Sequence, residues 1–250
     1  MDSTQFFSSR GSSYDKARPG YPKALIDYLY TNQSFSEIST IADIGSGTGI
    51  FAEQLLERGS RVFCVEPNDE MRQIAERKLH SFPGFLSVNG TASFTGVEEK
   101  VDTITAAQSF HWFDSNEFHE ECRRILRPSG CVCLIWNLRI PDSAITNACR
   151  ETFRQYCPRF VDFNTGMKVD DPKIYDFFEG NCEKAVFDNP LYYDEDLFVE
   201  RYLSSSYSLR RGEDGYDACI QAVRDIFTRF CSDGKVEVPN QAVCYSGKVE

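Results

Sequence analysis

The chain has 250 residues, 41% of them hydrophobic, which suits one large domain with a substantial core. A formal net charge of −11 argues against a broad nucleic-acid or anionic-membrane surface. Ten cysteines and three histidines lack the paired spacings of a zinc site, and the N-terminal Met-Asp-Ser-Thr-Gln has no basic-then-apolar leader, so reduced thiols in a cytoplasmic protein are expected, with no metal.

In chain order, residues 1–13 are small and polar apart from Phe6 and Phe7. The run Tyr14-Asp15-Lys16-Ala17-Arg18-Pro19-Gly20-Tyr21-Pro22 carries two prolines and a glycine and reads as irregular. A helix is expected from Pro22 to about Tyr30, with Leu25, Ile26 and Leu29 inward. Next comes Ile41-Ala42-Asp43-Ile44-Gly45-Ser46-Gly47-Thr48-Gly49, a short apolar strand followed by three glycines at alternate positions. Glycines there admit positive φ and a close ligand approach. A helix beginning near Phe51 would aim free N–H groups at that ligand. A dinucleotide fingerprint would need a glycine where Ile50 stands. Asp43, two residues before the first glycine, suits a ligand bearing an ammonium group better than a pyrophosphate.

Arg61 to Val65 is a second β-prone run and ends in Glu66-Pro67. Glu66 lies 21 residues after Gly45, the interval expected of an acid that holds ribose hydroxyls. Over roughly residues 10–140 the chain resembles the class I S-adenosylmethionine (SAM)-dependent methyltransferases. The Tyr-x-x-x-Arg-Pro-x-Tyr-Pro segment and the stretch Gln108-Ser109-Phe110-His111-Trp112 resemble a small-molecule subset of trans-aconitate type. The resemblance implies an α/β, Rossmann-like, doubly wound seven-stranded sheet, mostly parallel with an antiparallel last strand, and a helical insertion or cap in the C-terminal half. It implies SAM as cofactor and S-adenosylhomocysteine as product. Cofactor contacts are expected from Tyr14, Arg18, Asp43, Gly45, Ser46, Gly47, Thr48, Gly49, Glu66, Pro67 and Met71. Thr91, Ala92, Gln108, Ser109 and Phe110 extend that set. In relatives an acid often follows Ala92; here Ser93 stands there, so adenine would be met by backbone or hydroxyl groups.

Beyond the second strand, Asn68-Asp69 is expected to cap a helix that buries Met71, Ile74, Ala75 and Leu79. Phe85–Val88 and Val101–Ala107 read as the third and fourth strands. Asp114 should cap a helix ending in Arg123, Arg124 and Arg127, read as solvated charges, with Pro128-Ser129-Gly130 as the stop. Cys131–Trp136 is the expected fifth strand. Residues 141–180 read as a helical insertion and 183–193 as a sixth strand. Two helices then start near Asp194 and Tyr216, and Val236 to Tyr245 would close as a hairpin strand. The sixth and seventh strands together would form an antiparallel edge. The expected organisation is one domain: a lid and helix over 1–35, a SAM-binding core over 36–140, and acceptor-shaping elements over 141–250.

Residues just past the carboxyl ends of parallel strands line the ligand crevice. That rule puts His111 and Trp112 beside a methyl donor, with His111 and Tyr14 as candidate catalytic residues. Trp112, Tyr21, Arg139 and Tyr207 are candidates for the acceptor side. The expected activity is methyl transfer to a small molecule through oxygen, nitrogen or carboxylate, by a monomer or homodimer. A non-catalytic SAM-binding scaffold and a nucleotide-dependent oxidoreductase are the competing readings. Ile50 and Asp43 count against the oxidoreductase.

Overall fold

The computed structural model describes residues 20–33, 35–163 and 170–249. A seven-stranded sheet runs through its centre, in the order β3-β2-β1-β4-β5-β9-β6. The strands are β1 (Thr40–Ile44), β2 (Arg61–Val65), β3 (Phe85–Val88), β4 (Val101–Ala107), β5 (Leu126–Arg139), β6 (Cys182–Asp188) and β9 (Asn240–Gly247). The first five are parallel, so their carboxyl ends share one edge. The strand β9 is antiparallel to both β5 and β6. Only the last strand is therefore reversed; β6 runs with the first five, and β6 and β9 form the expected antiparallel pair at the edge. All five residues of β1 are buried, as a central strand covered on both faces requires.

Helices α1 (Lys23–Asn32), α2 (Ile50–Leu56) and α3 (Asp69–Leu79) cover one face, and α4 (Ser115–Ile125) lies on the other. Local chemistry sets their ends. The Asn68 side chain accepts from the Met71 N–H at 3.0 Å, and Asp114 accepts from Asn116 and Glu117 N–H groups at 3.0 Å. Each such cap is worth about 1 kcal/mol.

The second face departs from expectation at the end of α4. The helix stops at Ile125, before Pro128, and Leu126 already pairs with Val101 of β4. The register then slips, and pairing resumes at Thr103 with Cys131. Pro128 lacks an N–H to donate across that slip. Arg124 is exposed, as expected, but it also has fixed partners. It binds both oxygens of Glu121, which is 5% exposed, and donates to the Val97 carbonyl at 2.9 Å. Glu121 in turn accepts from the Thr95 N–H and hydroxyl, so the pair fastens the loop before β4.

The expected insertion over 141–180 divides in two. Helix α5 (Ala144–Tyr156) belongs to a cap, together with α7 (Glu195–Leu203), α8 (Tyr216–Phe230) and a two-stranded sheet of β7 (Leu191–Tyr193) and β8 (Val236–Val238). The cap has its own core, in which Phe153 stacks on Tyr202 at 5.0 Å. Helix α6 (Pro172–Phe177) instead joins the sheet core, where Phe177 stacks on Phe118 at 5.4 Å. Prolines explain where the strands break. Pro190 ends β6 and splits the expected 183–193 strand, and Pro239 separates β8 from β9, so no hairpin forms.

Candidate active site

The carboxyl edge of the sheet gathers the glycine loop, both acids and the segment after β4. As β1 ends, the N–H groups of Gly45 and Ser46 donate to the Val65 carbonyl at 2.8 and 3.1 Å, which ties the loop to the end of β2. Gly45 has φ +68°, and a Cβ there would lie 2.6 Å from the Ser109 Cβ. No larger residue fits without displacing the segment after β4. Gly47 has φ +58° but nothing within 4 Å of a Cβ position. Among the described residues that leaves open space, where a ligand can lie on the backbone. Half-buried Ser46 and buried Thr48 sit between the glycines, and Gly49 precedes the first turn of α2.

Asp43 is 1% exposed at the base of this loop. One carboxylate oxygen accepts from the Thr105 hydroxyl at 2.7 Å; the other, Oδ2, is buried with no hydrogen-bond partner among the described residues. Burial pushes its pKa up to about 7, against the lowering effect of Thr105, and the nearby Glu66 charge adds to the rise. A buried carboxylate oxygen without a donor is costly, and a cationic group is the partner that relieves it.

Glu66 stands at the end of β2, 7% exposed. Its Oε2 accepts from the Gly47 N–H and its Oε1 from the Asn68 N–H, both at 2.9 Å. Burial raises its pKa, partly offset by these backbone donors and by Arg72. A carboxylate has about four acceptor positions, so two remain for hydroxyl donors. The two carboxylate acceptors therefore fit a ligand with an ammonium at one end and a diol further along.

The remaining candidates are distributed around this pair. Pro67 is half-buried, and Met71 is buried in the first turn of α3. Thr91 and Ala92 lie in the loop after β3, where the Thr91 hydroxyl accepts from the Phe94 N–H at 3.1 Å. Gln108 takes φ +62° and donates through its side chain to the Asn137 carbonyl at 2.9 Å. Ser109 donates to the Ile44 carbonyl at 2.7 Å, bridging β4 to β1 beneath Gly45. The backbone of Phe110 is on the crevice edge, but its ring is 1% exposed and sits in the core against Trp136 and Phe177. Lys173, not a ligand, lies over that ring at 4.9 Å. His111 is half-buried, its ring 5.0 Å from that of Trp112, which is 55% exposed.

Of the residues expected on the acceptor side, Tyr21 packs edge-on against Phe51 at 4.9 Å, and Gln54 clamps both its backbone N–H and its carbonyl. Arg139 ends β5 with its guanidinium 4.3 Å over the Phe163 ring, facing the cap. Tyr207 stands in the cap against Phe160 at 4.8 Å; burial raises its phenol pKa, and the Arg139 charge opposes that rise. Tyr14 and Arg18 lie outside the described residues. Sequence reasoning missed Thr105, Asn68 and Asn137 as supports. Asp43 and Thr105 are register partners on adjacent strands, which no local pattern reveals.

Residues 42–134 match the family described as a methyltransferase domain. The matched stretch runs from β1 into β5. It includes both acids, the glycine loop and His111. An uncharacterised methyltransferase of Mycobacterium tuberculosis is 34% identical over 139 residues, 55% of this chain and 54% of the relative. Another, from Schizosaccharomyces pombe, is 33% identical over 135 residues, 53% of each chain. The chain spans about half the length of these curated relatives. Among solved structures, a SAM-dependent methyltransferase from Geobacter sulfurreducens in complex with S-adenosylhomocysteine superposes with a TM-score of 0.55 over 98% of both chains, at 12% identity. One from Thiobacillus denitrificans, also with S-adenosylhomocysteine, gives 0.55 over 99% of this chain and 100% of that one, at 14% identity. At such identities the common property is the fold. The sheet described above is thus of the fold that these solved structures have.

Proposed function

We propose that this chain binds SAM at the carboxyl edge of its sheet and transfers the methyl group to a small-molecule acceptor. The observation that carries the reading is the orphaned, buried Asp43 Oδ2 beside an open glycine loop, with Glu66 beyond it. Asp43 would meet the ammonium of the cofactor's amino-acid end. Glu66 would accept from ribose hydroxyls through its remaining lone pairs. The loop over Gly45–Gly49 would let the ligand lie against backbone. Bound SAM supplies a methyl group on an already activated sulfonium.

The protein's task is then alignment, which contributes up to about 7–11 kcal/mol in ideal intramolecular cases. His111, at the end of β4, would take a proton from a hydroxyl or amine acceptor. Arg139 would orient a carboxylate acceptor, for which no base is needed. Tyr14 and Arg18 belong to the same proposal as closing residues, with Trp112, Tyr21 and Tyr207 as acceptor walls. Calorimetric titration with SAM, S-adenosylhomocysteine and NADH tests the reading. Saturable binding of the first two and none of NADH is expected. Binding of NADH alone, or of none of the three, refutes it.

A further inference from the structure

The opposite edge of the sheet holds a feature that methyl transfer does not use. There, where β4 and β5 begin and β9 ends, a cavity of about 300 Å³ opens. Four cations, Lys100, Arg123, Arg127 and Lys248, line it above Leu126 and Val249. Since β4 is seven residues long, this edge lies roughly 20 Å from the glycine loop at ~3.3 Å per residue.

The cations are held but not neutralised. The Lys100 ammonium donates to the carbonyls of Arg124 and Leu126 at 2.7 and 3.2 Å, which fixes it at the end of α4 and leaves one N–H. Arg127 pairs with Asp102 through one terminal nitrogen only. The other Asp102 oxygen accepts from the Thr40 N–H at 2.8 Å. Arg123 has a loose contact with Glu120 at 3.7 Å. No ion pair of Lys248 is found among the described residues. Glu99 also acts on Arg127 but is itself paired with Arg61 at 2.6 Å, so the four lining cations and Arg61 stand against three carboxylates, Glu99, Asp102 and Glu120, an excess of about two in a chain whose net charge is −11. Leu126, 6% exposed, and half-buried Val249 supply an apolar floor.

We propose that this cavity is a second ligand site, for a small organic phosphate monoester. The phosphate, with a charge of about −1.5 to −2 at neutral pH, matches the local excess and the guanidinium forks. The apolar floor takes the organic body, and the volume is at the lower end of small-molecule sites. The chain's net charge of −11 opposes an extended polyanion such as a nucleic acid.

Phenyl phosphate is the probe, titrated calorimetrically into the full chain with and without saturating S-adenosylhomocysteine. The expected result is saturable binding that weakens with salt, is unaffected by S-adenosylhomocysteine, and drops at least about tenfold in Arg123→Glu/Lys248→Glu. Circular dichroism of the double variant checks its fold; if it unfolds, the single variants Arg123→Gln and Lys248→Gln replace it, each expected to weaken binding. Unchanged affinity in the folded variants overturns the proposal. So does displacement of the probe by S-adenosylhomocysteine, absence of saturation by about 10 mM, or tighter binding of a short oligonucleotide than of phenyl phosphate. Failure of the cofactor reading would appear separately, as absent S-adenosylhomocysteine binding.

Discussion

Replacing Asp43 by Asn isolates one buried charge and predicts opposite effects on stability and on ligand affinity. Asp43 titrates near 7 in the folded chain because burial disfavours its charge, against a reference of 3.8. Between those values the folded state keeps a proton that the unfolded chain has released. Unfolding then releases a proton, so rising pH favours it. The stabilising contribution is complete below pH 3.8 and is gone once the pH has passed about 7. At ~1.36 kcal/mol per pH unit the full effect is about 4 kcal/mol. Asn cannot ionise, so Asp43→Asn lacks this dependence. It does leave an amide donor where Oδ2 lacks a partner, a pH-independent cost of about 1–3 kcal/mol. Urea denaturation of both proteins at about pH 5.5 and about pH 8 cancels that constant, and the variant should gain about 2 kcal/mol on wild type between the two. SAM affinity should move the other way: lost in the variant, and rising with pH towards 7 in wild type, as Asp43 becomes available to an ammonium. Parallel stability curves for the two proteins would refute the assigned burial cost.

Four further outcomes follow from the same geometry. Gly47→Arg places a side chain in the open space over the loop and should abolish SAM binding in calorimetry while the protein stays folded by circular dichroism. Glu66→Ala removes the acceptor of two backbone N–H groups and the proposed ribose contact; affinity should fall by about 1.5–3 kcal/mol, read as the change in dissociation constant. His111→Ala should lower turnover more than SAM affinity once an acceptor is in hand, and equal losses in both would make it a binding residue. Phe153→Ala empties the centre of the cap core and should cost about 3–5 kcal/mol in thermal or chemical unfolding.

The parts of the site that could be read from sequence are those in which chemistry is local. Asp43 and the three glycines are consecutive, and Glu66 follows at a fixed interval because one helix separates two adjacent parallel strands. The helix caps at Asn68 and Asp114 are local for the same reason. What escaped depends on partners brought together by register or packing. Arg124 reads in sequence as a helix-end charge, yet it is held by Glu121, whose buried carboxylate also takes Thr95, 26 residues away. The Phe110 ring turns inward because Trp136, Phe177 and Lys173 enclose it, and all three lie on distant elements. The cap was legible as helices but not as a separate core, because α5 and α8 meet only across the intervening β6 and α6. Pro190 and Pro239 carried the signal for the strand breaks, since neither can donate to a ladder.

The central claim is that Asp43, the glycine loop and Glu66 together hold SAM. A crystal structure of the protein grown with S-adenosylhomocysteine tests it most directly. The account predicts the ligand's ammonium against Asp43 Oδ2, its backbone-facing side over Gly47, and its ribose hydroxyls on Glu66. Density for the ligand elsewhere, or a ribose that leaves Glu66 bonded only to Gly47 and Asn68, would contradict it.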